Sequence, residues 1–230
     1  TTEIYTLSLH DALPICLFVI DAKNADAYIL ANKAGELYLI DAKDKGISVT
    51  ELVTVDKTRP SIELNLDKVE AELLPGSEKN QEVINKVLDA GRLMLSADSV
   101  GAAQIMLDKA VAYSLERKQF GRVIGSFQAV KHMCAEMAAE LEPCHSMIWH
   151  AAHCYDHDPS QARLMACHTK AHVSEVGKQI SKTSTEVHGG MGFTDELGLH
   201  YWFKRIGLNR QLLGSRSEER RVGKECRSRW

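Results

Sequence analysis

The sequence predicts an α+β fold, in which a partial antiparallel β-domain is followed by an up-and-down four-helix bundle. Short apolar runs separated by turn residues fill residues 16–76 with no helical stretch between them, as is typical of antiparallel strands. A Pro75-Gly76-Ser77 break then ends the strand pattern. From Glu82 onward, apolar residues recur every three or four positions, which is the spacing of one helix face.

Five strands are predicted in the first part of the chain. They cover residues 16–20, 27–30, 36–40, 52–55 and 62–66. Turn residues lie between them, including Asn32, Gly35 and the Arg59-Pro60 pair. These strands indicate part of a sheet domain rather than a complete barrel.

The bundle is predicted to occupy residues 77–214. Its first three helices cover residues 81–117, 127–157 and 161–187, and a fourth ends near Leu213. Ser126 and Ser160 are the predicted N-caps of the second and third helices, and Pro143 predicts a kink or break. The predicted buried face of the first helix consists of Val100, Ala103, Leu107, Val111 and Leu115. Short connections favour an up-and-down arrangement.

Both ends of the chain are predicted to be non-native. Residues 1–15 and 215–230 show no continuity with the rest, and both resemble translated sequencing-adapter read-through. We exclude them from the fold, as one would an expression tag. The alternative for the charge-dense tail is a basic arm that binds nucleic acid.

Composition limits the class of protein. The 230 residues are 44% hydrophobic, which is enough for a substantial core. A net charge of -3 gives no support to a nucleic-acid or anionic-membrane partner. No apolar run approaches the roughly 20 residues of a membrane-spanning helix. The six cysteines form no C-x-x-C pair and are predicted to be free thiols in a reducing compartment. We therefore predict a soluble cytoplasmic protein.

Histidines are frequent in the second and third predicted helices. Two pairs have a spacing of four, which places each pair on one helix face: His153 with His157, and His168 with His172. Two such pairs on facing helices are the basis of one alternative, a metal-binding helical bundle. We predict no metal, because the sequence does not display a full ligand set.

Two loops carry the most specific motifs. The first is Arg117-Lys-Gln-Phe-Gly121 with the following Ile124-Gly-Ser-Phe-Gln128, and the second is His188-Gly-Gly-Met-Gly-Phe-Thr194. Alone, the first also fits a helix hairpin with a solvated arginine. The glycines of the second also fit a turn, or a phosphate-binding loop at a helix start. Together, in sheet-then-bundle order, they resemble the acyl-CoA dehydrogenase family over residues 16–214. That family has an N-terminal helical domain, a middle β-domain and a C-terminal four-helix bundle. This chain resembles the second half of the β-domain plus most of the bundle.

The resemblance implies FAD, bound between the β-domain and the bundle with its ADP part reaching a neighbouring subunit. By resemblance, Arg117 pairs with the pyrophosphate through its forked donors. Phe120 packs beside the cofactor and Gln128 hydrogen-bonds it. The ADP portion also meets Glu186, Val187, Gly189 and Gly190. Glu186 departs from the glutamine of many members, and its charge would repel pyrophosphate. A homodimer, a homotetramer or a hetero-oligomer with a related subunit is implied.

The same resemblance implies an acyl-CoA substrate bound near Asp89 and Arg92. The alternative for these two residues is a solvated helix face. The family's catalytic glutamate occupies one of two positions, which are Leu213 and Gly91 here, and neither residue can accept a proton. Three explanations stay open: the base lies elsewhere, a partner subunit supplies it, or the chain is a non-catalytic subunit.

The resemblance implies an FAD-dependent enzyme that oxidises an acyl-CoA to a 2-enoyl-CoA. Electrons would pass to an electron-transfer flavoprotein. We predict a truncated and inactive form of that enzyme. The alternative is a non-catalytic subunit that completes a partner's FAD site.

Overall fold

The computed structural model describes residues 4–7, 15–32, 36–76 and 81–214. The chain divides into two compact units, Thr1–Val87 and Leu88–Trp230, and the domain boundary at residue 76 stays a prediction. Gly35, Ser77, Cys226 and the predicted tail, 215–230, lie outside the described residues. The assignment of both chain ends as non-native stays a prediction.

Within the described part of the first unit, the chain forms short antiparallel strands in two sheets. They are β1 (Ile4–Leu7), β2 (Ile15–Ile20), β3 (Ala27–Ala31), β4 (Leu37–Asp41), β5 (Ile47–Leu52), β6 (Ser61–Leu66) and β7 (Val69–Leu73). One sheet has the order β1-β7-β4-β3, and the other has the order β2-β6-β5. Strand β1 falls within the predicted leader, and neither β1 nor β7 was predicted.

The prediction of a strand at residues 52–55 is wrong in position. The strand lies earlier, because β5 pairs with β6 from Ile47 opposite Leu66 to Leu52 opposite Ser61. Val53 and Val55 lie beyond this register and are exposed. Pairing with a partner strand decides where a strand lies, and the local valine content does not reveal that partner.

Side chains that alternate between more and less buried positions along β6 and β7 form the core of the first unit. Ile62, Leu64 and Leu66 of β6 are fully buried, as is Val69 of β7. They join one apolar cluster with Ile40 of β4. This alternation is the pattern that buries one face of a strand.

The second part of the chain forms four helices joined by short connections, which confirms the predicted fold class. They are α1 (Gln81–Glu116), α2 (Gln128–His157), α3 (Pro159–His188) and α4 (Leu199–Gln211). A small hairpin of β8 (Lys118–Gln119) and β9 (Arg122–Val123) connects α1 to α2. Helix α1 is continuous over 36 residues, including both of its glycines.

Both predicted N-caps are wrong. Phe127 is the N-cap of α2, whereas the Ser126 hydroxyl donates to the Val123 carbonyl at 2.7 Å. Asp158 caps α3 by accepting from the Ser160 amide, with Pro159 in the first turn, where its missing N–H costs nothing. Pro143 lies inside α2 and does not break it.

The bundle core lies where α1, α2 and α3 meet. Its largest fully buried side chains are Met106, Met137, Leu141 and Ile180, with Leu199 and Ile206 from α4. On α1, Val100, Ala103 and Leu107 are buried as predicted, but Val111 and Leu115 are exposed. Each step of four residues along a helix turns about 40° more than one full turn. Residues spaced by four therefore move gradually away from the side that faces the core. Within the described part of the chain, every helix is either too short or too polar to span a membrane.

Candidate functional site

The loop after α1, residues 117–123, is a tight hairpin with a phenylalanine at its tip, and we call it the arginine hairpin. Gln119 pairs with Arg122, which leaves Phe120 and Gly121 as a two-residue turn with φ angles of 53° and 77°. Such turns favour Asn or Gly, because a bulky residue at positive φ is strained. Phe120 is also 92% exposed. A strained, exposed aromatic residue is typical of a functional position.

The hairpin carries three exposed cations, which are Arg117, Lys118 and Arg122. Arg122 already has a partner in the Phe127 ring. Its guanidinium lies 4.0 Å from the centre of the Phe127 ring, a cation–π contact. Phe127 also meets Phe120 edge-on, with ring centres 6.1 Å apart. By contrast, no described side chain pairs with the exposed Arg117. The Arg117 guanidinium is therefore available to bind an anionic group that is not part of the described chain.

The glycine loop follows the C-terminus of α3 rather than preceding a helix start, which corrects one interpretation of this motif. It forms a short 3₁₀ turn over Gly189–Phe193. Gly189 has a φ of 60°, and its N–H donates to the Glu186 carbonyl, so this amide is not a free donor. Gly190 is exposed, and no atom lies within 4 Å of where its Cβ would stand. The space beside Gly190 is open to a ligand.

A contact between two rings joins the bases of these two loops. The Tyr113 ring, in the last turn of α1, lies 4.7 Å from the buried His188 ring at the end of α3. His188 Nδ1 is 2.7 Å from the Ser184 carbonyl oxygen. Since a carbonyl can only accept, Nδ1 carries the proton. The Ser184 hydroxyl in turn donates to the Met106 carbonyl of α1 at 2.7 Å. The arginine hairpin and the glycine loop therefore lie at one end of the α1–α3 pair.

The other residues predicted to bind the cofactor differ in their surroundings. Gln128 is exposed, and its amide nitrogen lies 2.8 Å from His132 Nε2. Glu186 is exposed, whereas Val187 is buried in the bundle core and presents no side chain to a ligand.

Asp89 and Arg92 form a buried pair, so the alternative of a solvated helix face is wrong. The two residues are 5% and 6% exposed, and their charged atoms are 2.5 Å apart. Arg92 Nε also donates to the Leu213 carbonyl at 2.9 Å. A buried charge normally has a partner, and here each residue supplies the other's.

Gly91 and Leu213, the two positions that the resemblance predicts for a base, meet in space. A Cβ added to Gly91 would lie 2.5 Å from Leu213 Cδ1. Leu213 itself has a φ of 54°, in the left-handed region that a leucine rarely adopts. One place at the end of the bundle therefore corresponds to both sequence positions, and a leucine side chain fills it.

Lys170 of α3 lies at the same end, and sequence analysis did not predict it. It is 3% exposed, and Nζ donates to the Gly214 carbonyl and to the Ser174 hydroxyl, both at 3.2 Å. Burial lowers its pKa to about 8, with the charges of Arg92 and Arg210 acting in the same direction. One signal was available in the sequence: Lys170 shares a helix face with Ala166 and Val173.

Two groups of residues lie far apart in one chain. One is the hairpin with Arg117, and the other is the end of the bundle with Arg92 and Leu213. Arg92 and Arg117 are separated by 25 residues of α1 and its end, which corresponds to about 37 Å at 1.5 Å per residue. The residues predicted to bind the cofactor and the two positions predicted for the base are therefore at opposite ends of the same bundle.

The histidines do not form a metal centre within the described part of the chain. The His153 and His157 rings are in contact on one face of α2, with their centres 4.7 Å apart. The sequence also contains one Glu-x-x-His spacing, from Glu142 to His145, which sequence analysis missed; both residues are exposed. No group of three or more His, Cys, Asp or Glu side chains among the described residues has a geometry that could hold a metal ion.

Comparison with known proteins identifies the family. Residues 81–223 match the family model described as the acyl-CoA dehydrogenase C-terminal domain. The Caffeyl-CoA reductase-Etf complex subunit CarC of Acetobacterium woodii is 34% identical over 165 residues, which are 69% of this chain and 43% of that protein. Acyl-CoA dehydrogenase IpdE2 of Mycobacterium tuberculosis is 30% identical over 202 residues, which are 87% of this chain and 57% of that protein.

Among solved structures, the ChsE4-ChsE5 complex from Mycobacterium tuberculosis has a similar fold. The match has a TM-score of 0.83 at 25% identity and covers 93% of this chain and 59% of that chain. This chain spans about half the length of the curated relatives it matches. The family match covers the whole bundle and both loops, and the chain therefore belongs to the acyl-CoA dehydrogenase family.

Proposed function

We propose that this chain is the C-terminal part of an FAD-dependent acyl-CoA dehydrogenase, which converts an acyl-CoA thioester to a 2-enoyl-CoA. The observation that carries the proposal is the contact between Tyr113 and His188. It brings the arginine hairpin and the glycine loop to one end of the bundle, where both can bind the same dinucleotide. Transfer of electrons to an electron-transfer flavoprotein is part of the proposal, supported by the CarC relative, whose name includes an Etf complex.

The residues at that end fit FAD. Arg117 would pair with the pyrophosphate, because its guanidinium is exposed and a fork of donors suits phosphate oxygens. Phe120 would pack against the cofactor from the hairpin tip, and the open space at Gly190 admits close approach of the ADP portion. The bound flavin would supply the hydride acceptor of the reaction. Glu186 and the carbonyls at the end of α3 are unfavourable to a phosphate, so Arg117 has to offset them.

An oligomer is part of the proposal. Arg92 and Arg117 are about 37 Å apart along α1, more than an extended dinucleotide spans. One chain therefore contributes its hairpin end to one flavin and its Leu213 end to another. A dimer, or a tetramer built from dimers, supplies both contributions to every site.

We propose that the chain itself is inactive. A base has to lie within hydrogen-bond reach of the α-proton, and the one place shared by Gly91 and Leu213 is occupied by an aliphatic side chain. The test is to purify the 230-residue chain with added FAD and to assay a panel of acyl-CoAs with an artificial electron acceptor. Turnover well above the rate of free FAD would refute the inactivity.

A second candidate function is that of a non-catalytic subunit that completes a partner's FAD site. The Leu213 side chain against Gly91 favours it, because this chain retains the flavin-binding motifs without a base. The ChsE4-ChsE5 relative has two differently named proteins in one complex. The test is co-expression of the chain with neighbouring gene products. Co-purification of a related full-length subunit with a glutamate at either base position would support this function, and purification of the chain alone would contradict it.

A further inference from the structure

Two buried cations hold two successive carbonyl groups after α4. Arg92 of α1 donates to the Leu213 carbonyl at 2.9 Å. Lys170 of α3 donates to the Gly214 carbonyl at 3.2 Å. These donors come from two different helices, so they tie the end of α4 to both at once.

The backbone at this turn is in an unusual conformation. Leu213 and Gly214 have φ angles of 54° and 101°. Glycine adopts positive φ readily, but leucine does so only where its surroundings hold it. The Leu213 amide follows the last helical bond of α4, which joins the Leu212 N–H to the Leu208 carbonyl at 3.2 Å. The left-handed turn therefore begins directly where helical bonding ends.

We propose that Lys170 is a positioning residue, which acts with Arg92 to hold the Leu213–Gly214 turn so that the side chain at position 213 lies over Gly91. The proposal deepens the proposed function, since position 213 is a base position of the family. Lys170 would act through the Gly214 backbone and would not touch substrate. Loss of its ammonium group would free the turn while the helices stay packed.

Lys170 differs from the two arginines near it in the charge of its hydrogen-bond partners. Arg92 is paired with Asp89, and Arg210 is paired with Glu175 at 2.8 Å. Lys170 has neutral oxygens as its partners, from Ser174 and Gly214. The buried ammonium is therefore costly to the fold, because burial penalises its charge. Its replacement by Met is expected to loosen the turn without lowering the thermal stability.

The test compares the wild-type chain with Lys170→Met and Lys170→Arg, by amide hydrogen exchange and by NMR shifts, with no cofactor added. In Lys170→Met we expect exchange at the Leu212 amide to increase at least tenfold, with exchange at Ile180 unchanged and no fall in Tm. Lys170→Arg, which keeps a cation, is expected to restore most of the protection. Lys182→Met, an exposed change on the same helix, is the control and should change nothing.

A titration of the wild-type chain tests the same proposal without any substitution. We expect the Gly214 amide shift to titrate with a midpoint near the Lys170 pKa of about 8, and this titration should vanish in Lys170→Arg. Unchanged Leu212 exchange in Lys170→Met, or a uniform increase with a lower Tm, would overturn the proposal. So would a Gly214 shift that does not titrate. Since FAD takes no part, failure of the flavin assignment would leave these results unaffected.

Discussion

Leu213 Cδ1 lies 2.5 Å from the point where a Cβ on Gly91 would stand. The two residues are more than a hundred positions apart in the sequence, yet they share one place at the end of the bundle. A side chain at position 91 therefore has to displace the leucine. The cost of a side chain at position 91 therefore depends on which residue occupies position 213.

We expect Gly91→Ala to give no gain in stability. Alanine in a helix interior is favoured over glycine by roughly 0.5–1 kcal/mol, but here the new methyl group would displace the half-exposed Leu213. Gly101→Ala, on the same helix with nothing within 4 Å of the new methyl group, is the control and should show the full gain. The measurement is the free energy of unfolding in urea.

The same contact can be tested in a background without the leucine side chain. In Leu213→Ala, the further change Gly91→Ala should recover the roughly 0.5–1 kcal/mol gain that glycine-to-alanine changes give in helices. An equal effect of Gly91→Ala in both backgrounds would mean that the two positions do not compete for space.

Arg117 should contribute to flavin affinity without contributing to stability. We expect Arg117→Ala to weaken FAD binding by roughly tenfold or more, since a charge-assisted hydrogen bond contributes about 1.5–3 kcal/mol. The measurement is titration of FAD fluorescence with the purified chain. Lys118→Ala removes an exposed cation from the adjacent position and should change the affinity much less.

Phe120→Gly separates strain from binding at the hairpin tip. Glycine fits the φ of 53°, and relief of the left-handed conformation should raise stability by up to about 1 kcal/mol. Loss of the ring should lower FAD affinity at the same time. A variant that gained stability and kept its affinity would show that Phe120 does not contact the flavin.

The ring contact between Tyr113 and His188 should appear as a coupling energy. Tyr113→Leu and His188→Leu each remove one ring of the pair, and a double-mutant cycle isolates the interaction between them. We expect a coupling of about 0.5–1.5 kcal/mol, as for other aromatic pairs. The Phe120–Phe127 pair, at 6.1 Å, offers a comparison in which one ring is exposed, so its coupling should be smaller.

Because of Lys170, the stability of the fold should increase as the pH rises into the alkaline range. Its folded-state pKa of about 8 lies below the ordinary value of 10.5, so between these values the unfolded chain binds more protons than the folded chain. Stability therefore rises as pH increases from about 8 to 10.5. Urea unfolding at several pH values should show the rise in the wild-type chain and a weaker rise in Lys170→Met. Equal slopes in the two proteins would contradict this assignment.

Local patterns in the sequence were sufficient for the helices and for strands β2, β3, β4 and β6, because their signals lie within a few residues. Helix α2, for example, was predicted within one residue of its observed bounds. Strand β5 was misplaced because its bounds depend on pairing with β6. The resemblance located Gly91 and Leu213, but only the structure brings them together. Lys170 was missed because its partner, the Gly214 carbonyl, is a backbone atom 44 residues away.

The unbroken first helix acts as a spacer of fixed length and phase. Each inserted residue would lengthen it by about 1.5 Å and rotate everything beyond it by about 100°. An insertion between Arg92 and Tyr113 would thus turn the arginine hairpin away from the glycine loop after α3, even if every contacting side chain were kept. An insertion of about eleven residues would restore the angle, since that number completes three turns, but would move the hairpin beyond the end of α3. Variation in chain length is therefore expected outside this segment, in the connections that follow it.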